Sequence, residues 1–244
     1  GSCATHASVS PRPVRSPALG LVTVALLAAS GCGGCSEHGR TASGPHDFVR
    51  CMAVDAPSEG SGTIGPTRWA IADRTLTLRG FTTPLGIAAF RGAGMAPTGL
   101  PDAIAGVKEQ APGLVFVLGG LGTDEASARA HLDAIAAIGA PIVVLPGGDD
   151  PAEVFGEALE AAREAHPNVF DGRAIRSVVA GTDTFLLLSG APDGRYAIDA
   201  HACGNADDDR DELEAAGSGR TWLVSWAAPS GGGAAAVGRG FESL

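Results

Sequence analysis

Three short apolar runs, each followed by a helix-like segment, constrain the fold of this chain more than any other feature. The runs are PLGIAAF (84–90), GLVFVLGG (113–120) and PIVVLPGG (141–148), and amphipathic segments follow at 101–110, 123–138 and 151–165. Continuous apolar runs are typical of strands buried on both faces, and their alternation with helices predicts a parallel sheet. Right-handed crossovers bring the carboxyl ends of such strands to one edge, where open α/β sheets bind ligands.

The flanking segments predict antiparallel additions to this sheet. Residues 67–80 alternate around Asp73 and Arg74, which indicates a hairpin. AIRSVVAG (174–181) and TFLLLSG (184–190) indicate a second antiparallel pair, 207–217 a short helix and 221–227 a buried strand. We therefore expect an α/β fold with a mixed, largely parallel central sheet and flanking helices. The chain ends soon after the last strand, so an incomplete C-terminal part of the fold stays an open alternative.

The N-terminal region has the pattern of a secretory signal. Arg12 and Arg15 precede an uncharged apolar stretch at 18–31, and Cys32 follows directly. The AASGC sequence at 28–32 resembles a bacterial lipobox, which implies that residues 1–31 are removed and that Cys32 is lipidated. Lipid chains on one residue hold a protein on a membrane surface. We therefore expect a location in the bacterial cell envelope, at the outer membrane or the periplasmic face. By resemblance to enteric bacteria, Gly33 rather than Asp after the lipidated cysteine would permit sorting to the outer membrane.

Residues 32–65 are rich in glycine and polar residues and predict a flexible tether, which leaves 66–244 as the folded domain. In an oxidising compartment we expect a disulfide between Cys51 and Cys203, because both lie beside structured segments whereas Cys35 lies in the tether. The paired cysteine and histidine spacings of zinc sites are absent. The net charge of −10 offers no electrostatic basis for binding nucleic acid.

The order of segments over about 84–230 resembles the calcineurin-like metallophosphoesterases. In that family the strand ends carry Asp-x-His, Gly-Asp, Gly-Asn-His-Asp or Gly-Asn-His-Glu, a later histidine and Gly-His-x-His, which supply the ligands of two metal ions. The resemblance implies a four-layer α/β/β/α arrangement. It also implies where a two-metal site would lie, at the loops that follow the strands.

This chain lacks the ligands at those positions while keeping the glycines. The first strand ends at Phe90, with Arg91 and Gly92 after it. Gly119 and Gly120 replace Gly-Asp, and Gly147, Gly148, Asp149 and Asp150 replace the Gly-Asn-His motif. Trp226 stands where the later histidine is expected, and Gly-His-x-His is missing. The resemblance therefore implies relic site loops, and we expect Trp226 to lie beside Phe90 and fill the former metal cavity.

Asp149 and Asp150 are the remaining metal candidates, because two carboxylates at a strand end can hold a hard cation. However, Asp150, Pro151 and Glu153 also form a good helix start, with Asp150 as N-cap. We predict capping for Asp150 and leave Asp149 open. In the same way Thr123 is predicted to cap the helix that it begins, with Asp124 and Glu125 favouring the positive end of that helix.

The sequence thus predicts a membrane-anchored lipoprotein whose degenerate domain binds or scaffolds an unidentified protein or small ligand, without catalytic residues or a cofactor. The alternative is a residual metal-dependent phosphoesterase that uses Asp149 and Asp150, with Asp124 and His201, and a divalent Mn, Fe or Zn ion. A third interpretation is a truncated product that lacks the strands needed for stable folding.

Overall fold

The computed structural model describes residues 49–95, 97–191, 199–216 and 220–227. These parts of the chain contain ten strands and four α-helices. The strands are β1 (Gly60–Ile64), β2 (Thr67–Ala72), β3 (Thr75–Arg79), β4 (Ile87–Phe90), β5 (Leu114–Leu118), β6 (Ile142–Leu145), β7 (Val169–Asp171), β8 (Ser177–Ala180), β9 (Asp183–Leu188) and β10 (Arg220–Ser225). The helices are α1 (Leu100–Glu109), α2 (Glu125–Ala136), α3 (Ala152–Ala165) and α4 (Asp207–Ala216).

The three repeated units form a parallel sheet, as the apolar runs predict. Its order is β4-β5-β6-β7, and every neighbouring pair is parallel. Helices α1, α2 and α3 are the crossovers between consecutive strands. The fourth strand, β7, is absent from the sequence prediction. It has only three residues, Val169–Asp171, which is too short to show an alternation of apolar and polar residues.

A second, mixed sheet has the order β1-β2-β3-β8-β9-β10. The predicted hairpin is β2–β3, which turns at Asp73 and Arg74 with positive φ of 47° and 59°. The predicted antiparallel pair is β8–β9, and β10 joins β9 in parallel. Two pairings went unforeseen: β3 runs parallel to β8, and β1 adds to β2 through a two-residue turn in which Gly65 has φ of 54°.

The two sheets face each other, and helices cover their outer sides. Alternation along β5 shows the arrangement, because Val115 and Val117 pack under α1–α3 whereas Leu114 and Phe116 pack between the sheets. On the far side, Leu186 and Leu188 of β9 pack against Leu213 of α4. The layers therefore run helices, parallel sheet, mixed sheet, helix. This confirms the expected α/β/β/α fold.

The N-terminal part of the described chain packs onto the mixed sheet. Cys51 forms the predicted disulfide with Cys203, and both cysteines and Met52 are buried. Arg50 pairs with the fully buried Asp209 of α4, with a nitrogen–oxygen distance of 2.6 Å. Structured residues thus lie before residue 66, inside the segment predicted as a flexible tether. The physical reasons are the disulfide, which was predicted, and the β1–β2 pairing, which the local composition does not reveal.

The predicted signal segment and Cys32 lie outside the described residues. Within the described ranges, no helix is both long and apolar enough to cross a membrane.

Candidate functional site

Three loops meet at the carboxyl edge of the parallel sheet. They follow β4, β5 and β6 and comprise residues 91–95, 119–124 and 146–151. The Gly92 N–H donates to the carbonyl of Gly119 at 3.1 Å, and the Gly94 N–H donates to the carbonyl of Gly120 at 2.6 Å. The structure therefore brings the loop residues predicted from the sequence to one place.

Glycine is required where these loops touch. Gly119 and Gly120 have φ of 67° and 70°, in the left-handed region that favours glycine. A Cβ on Gly119 would lie 2.6 Å from the Cα of Gly147, and one on Gly120 would lie 2.5 Å from the Cα of Gly92. Any side chain here would separate the loops, which explains why the glycines stand at these positions without any appeal to a ligand.

The Asp150 side chain joins two of these loops. One carboxylate oxygen accepts the N–H of Leu121 at 2.8 Å. The other oxygen accepts the N–H groups of Gly120 at 3.0 Å and Gly147 at 2.8 Å. The residue is only 1% exposed. The carboxylate therefore satisfies three backbone donors of two neighbouring loops, a role that depends on contacts about thirty residues apart in sequence.

The predicted N-cap role of Asp150 is wrong. Helix α3 begins at Ala152, its N-cap is Pro151, and no side chain accepts a hydrogen bond there. The prediction failed because the local capping pattern competes with backbone donors on the β5 loop, which the fold brings within reach. The predicted cap of α2 also shifts by one residue, since Asp124 rather than Thr123 accepts the N–H of Ser127, at 2.9 Å.

Burial dominates the protonation of Asp150. It raises the pKa of this carboxyl to about 6, against the lowering effect of the Gly147, Leu121 and Gly120 N–H groups. The neighbouring Asp149 charge raises the pKa further. The interior thus holds a carboxylate that is costly to ionise but well supplied with donors.

Asp149 has a different environment from Asp150. It is half-buried, and its Oδ1 atom is inaccessible and accepts no hydrogen bond. Burial raises its pKa, while its own N–H and the Arg91 charge lower it. The nearby Trp226 indole N–H also lowers the pKa of Asp149. The indole nitrogen and the Oδ1 atom of Asp149 nevertheless form no hydrogen bond of normal geometry. Asp149 therefore carries one buried carboxylate oxygen that has no hydrogen-bond partner.

Trp226 covers the loop after β6. The residue is 6% exposed, and a side chain on Gly147 would overlap its indole ring. The Arg91 guanidinium lies 5.0 Å from the ring centroid, a cation–π distance. Phe90 belongs to the core under the helices, and its expected contact with Trp226 stays a prediction. The Trp226 ring packs on the backbone of Gly147 and against the guanidinium of Arg91.

The remaining candidate ligands do not gather around Asp149. The Asp124 carboxylate is engaged at the start of α2, and the Ser127 N–H lowers its pKa. His201 is exposed, and its carbonyl accepts the Ala152 N–H at 3.0 Å. Among the residues that the structure describes, no group of three or more His, Cys, Asp or Glu side chains could hold a metal ion.

Two site residues went unrecognised in the sequence. Arg91 lies over the Trp226 ring and its charge lowers the pKa of Asp149, and its place directly after the first strand end was the available signal. His131 on α2 holds the β5 loop, with its Nδ1 atom 2.6 Å from the carbonyl oxygen of Leu121. The sequence showed only that His131 lies on a predicted helix, which does not reveal its hydrogen bond to Leu121, ten residues earlier in the chain.

No protein-family model matches this chain, and no curated protein matches it. Among solved structures, the chain is similar to TT1561 of Thermus thermophilus, with a TM-score of 0.50 and 14% identity over 60% of this chain and 69% of that one. Another solved structure aligns with a TM-score of 0.45 and 16% identity over 59% and 70% of the two chains, too low to carry an argument. At these identities the likeness shows the α/β fold alone.

Proposed function

We propose that this chain is a lipid-anchored protein of the bacterial cell envelope with a metallophosphoesterase-like domain that binds a partner and does not hydrolyse phosphoesters. The observation that carries the proposal is the engagement of Asp150. Both of its oxygens accept backbone N–H groups, three in all. A two-metal phosphoesterase needs carboxylate and imidazole lone pairs that point at the ions.

The carboxyl-edge loops do not fit the metal pair that the family resemblance implies. Asp150 faces N–H donors, which a bound cation would have to displace at the cost of leaving them buried and unpaired. The Trp226 ring lies on Gly147, and Arg91 lies over that ring. A cation at this place would meet a guanidinium rather than an additional anionic ligand.

The structure of the carboxyl-edge loops is suited to binding a partner. The loops are tied by backbone hydrogen bonds between glycines, so they hold a fixed shape. In open α/β sheets this edge is the usual place for ligand contact. The partner is an unidentified protein or small ligand, and the membrane is reached through lipid on Cys32.

Two assays test this proposal. The full chain, supplied with Mn²⁺, Zn²⁺ or Fe²⁺, should not hydrolyse bis(p-nitrophenyl) phosphate above the rate of the metal alone. Hydrolysis that disappears in Asp149→Asn would contradict the proposal. For the anchor, expression in a bacterium with the complete N-terminus should place the protein in the membrane fraction, and Cys32→Ser should release it. Membrane association unchanged by Cys32→Ser would contradict the lipid anchor and leave the domain proposal standing.

Residual phosphoesterase activity is the second candidate, and one observation favours it. The buried Oδ1 atom of Asp149 has no hydrogen-bond partner, so this oxygen is the one that a hard cation would bind if it entered the loop. A lone carboxylate with water ligands binds Mg²⁺ or Mn²⁺ weakly. The assay above decides between the candidates, because activity through Asp149 requires added metal and is lost with that side chain.

A further inference from the structure

The outer edge of strand β1 is open in the described part of the chain. β1 is the first strand in the order of the mixed sheet, and it pairs with β2 on one side only. Natural sheets usually protect such edges with charged residues, prolines or bulges. The segment Gly60–Ile64 has none of these, since its sequence is GSGTI and its pairing with β2 is continuous. This edge is therefore ready to accept another strand.

The turn determines which backbone groups point outwards. A two-residue turn makes Ile64 and Thr67 the closing pair of the hairpin. Bonding alternates along an antiparallel pair, so Gly62 and Gly60 direct their N–H and C=O groups at β2. Ser61 and Thr63 then direct theirs away from the sheet. Both side chains are exposed, on the face opposite the Trp69 ring.

The strand is complementary to itself. When two β1 strands run antiparallel about a two-fold axis at Gly62, Ser61 of one copy lies opposite Thr63 of the other. The outward N–H and C=O groups of these residues then form two hydrogen-bonded pairs, and the two hydroxyl side chains are neighbours across the strands. The glycines at the axis carry no side chain, because Trp69 occupies that space: a Cβ on Gly62 would lie 2.9 Å from the indole.

Charges near the strand favour the same arrangement. Arg68 on β2 lies opposite Arg79 on β3, so two exposed like charges are adjacent. Neither arginine has an ion-pair partner among the described residues. Glu59 precedes β1 by one residue and is exposed. With strands about 4.8 Å apart and a rise of about 3.3 Å per residue, Glu59 of one copy comes within side-chain reach of Arg68 of the second copy, and the pair occurs twice.

We propose that two copies of this chain associate through their β1 strands into one continuous twelve-stranded sheet, with reciprocal Glu59–Arg68 ion pairs. The occupant of the edge is the chain itself, because register, hydroxyl pairing and charge all match under the two-fold axis. An isologous contact of this kind closes at two subunits and does not propagate. The inference is independent of the proposed binding role of the carboxyl-edge loops.

Sedimentation velocity on the full chain tests the proposal, with nonionic detergent to shield the apolar 18–31 segment. Between about 5 and about 500 µM the wild type should shift from monomer to dimer. Ser61→Pro removes an outward N–H without touching the β1–β2 bonds, and should weaken dimerisation about tenfold or more. Ser61→Ala is the matched control: it keeps the N–H and loses only the hydroxyl contact, so it should weaken dimerisation far less than Ser61→Pro does.

A charge swap keeps the test decisive if the proline variant fails to fold. Glu59→Arg should weaken the dimer, and adding Arg68→Glu should restore it, because the reciprocal pair is then rebuilt with opposite polarity. Hydrogen exchange in Gly60–Ile64 should slow with protein concentration. A chain that stays monomeric, a dimer that survives Ser61→Pro, or a swap that does not restore association would overturn the proposal. Slowed exchange only on adding an unrelated extended peptide would overturn it too.

Discussion

Replacement of Asp150 by alanine is the perturbation that most directly probes how the carboxyl-edge loops are held. The substitution leaves the N–H groups of Gly120, Leu121 and Gly147 buried without an acceptor. Each such group costs about 1–3 kcal/mol. At neutral pH this loss is offset in part, because holding a carboxyl ionised with a pKa of about 6 costs about 3 kcal/mol relative to the unfolded chain. We expect a net loss of about 3 kcal/mol.

Urea unfolding at pH 7, analysed by linear extrapolation, measures this loss. Asp149→Ala is the matched control: it removes the adjacent carboxylate, whose Oδ1 atom accepts no hydrogen bond. We expect the control to change the free energy of unfolding by less than about 1 kcal/mol. A loss below about 1 kcal/mol for Asp150→Ala, or equal losses for both variants, would refute the reasoning that Asp150 joins the loops.

Three further predictions follow from the same structure. The pKa of Asp150 is raised to about 6 in the folded state, so the unfolded chain releases this proton more readily and the folded state loses stability as the pH rises from about 4 to about 7. Urea unfolding should therefore show the wild type losing stability relative to Asp150→Asn over that pH range. A difference that stays constant would contradict the raised pKa. Reduction, or the double substitution Cys51→Ser and Cys203→Ser, should lower the free energy of unfolding by up to about 5 kcal/mol, because the crosslink spans 152 residues. A melting temperature unchanged by reductant would contradict the disulfide. Gly120→Ala should lower the free energy of unfolding by more than about 2 kcal/mol. Gly139→Ala is the control and should lower it by about 1 kcal/mol, because φ is also positive there but no atom lies close to the added Cβ. Equal losses would contradict the close approach of the loops.

The sequence predicts the parallel units well, because their signals are local. Apolar runs bounded by Gly and Pro indicate strands such as β5, and the amphipathic spacing of Leu132 and Ile135 indicates α2. The same holds for the β2–β3 hairpin. Pairing between distant segments has no such local signal, so β1 was assigned to a tether and the parallel alignment of β3 with β8 was missed. The disulfide was predictable because few cysteines were left to pair.

The candidate site shows the same division. Motif positions predicted that glycine loops, Asp149, Asp150 and Trp226 would meet at one edge, because the carboxyl ends of parallel strands converge there. The partner of each side chain was not predictable. Asp150 satisfies a local capping pattern in sequence, yet the fold offers it three buried N–H groups that cost more when left unpaired than an exposed helix end does. The hydrogen bonds to these buried N–H groups therefore determine the position of the Asp150 side chain, and the local capping pattern does not.

Metal content is the measurement that tests the central claim most directly. The full chain is incubated with Mn²⁺, Zn²⁺ and Fe²⁺ in turn, desalted and analysed for bound metal, with Asp149→Ala as the control for weak binding at the Asp149 carboxylate. Because the Asp150 carboxylate is engaged by backbone donors, we predict near-zero occupancy for each ion. Retention of about one ion or more per chain, lost in Asp149→Ala or Asp150→Ala, would contradict the account and restore a metal-dependent phosphoesterase.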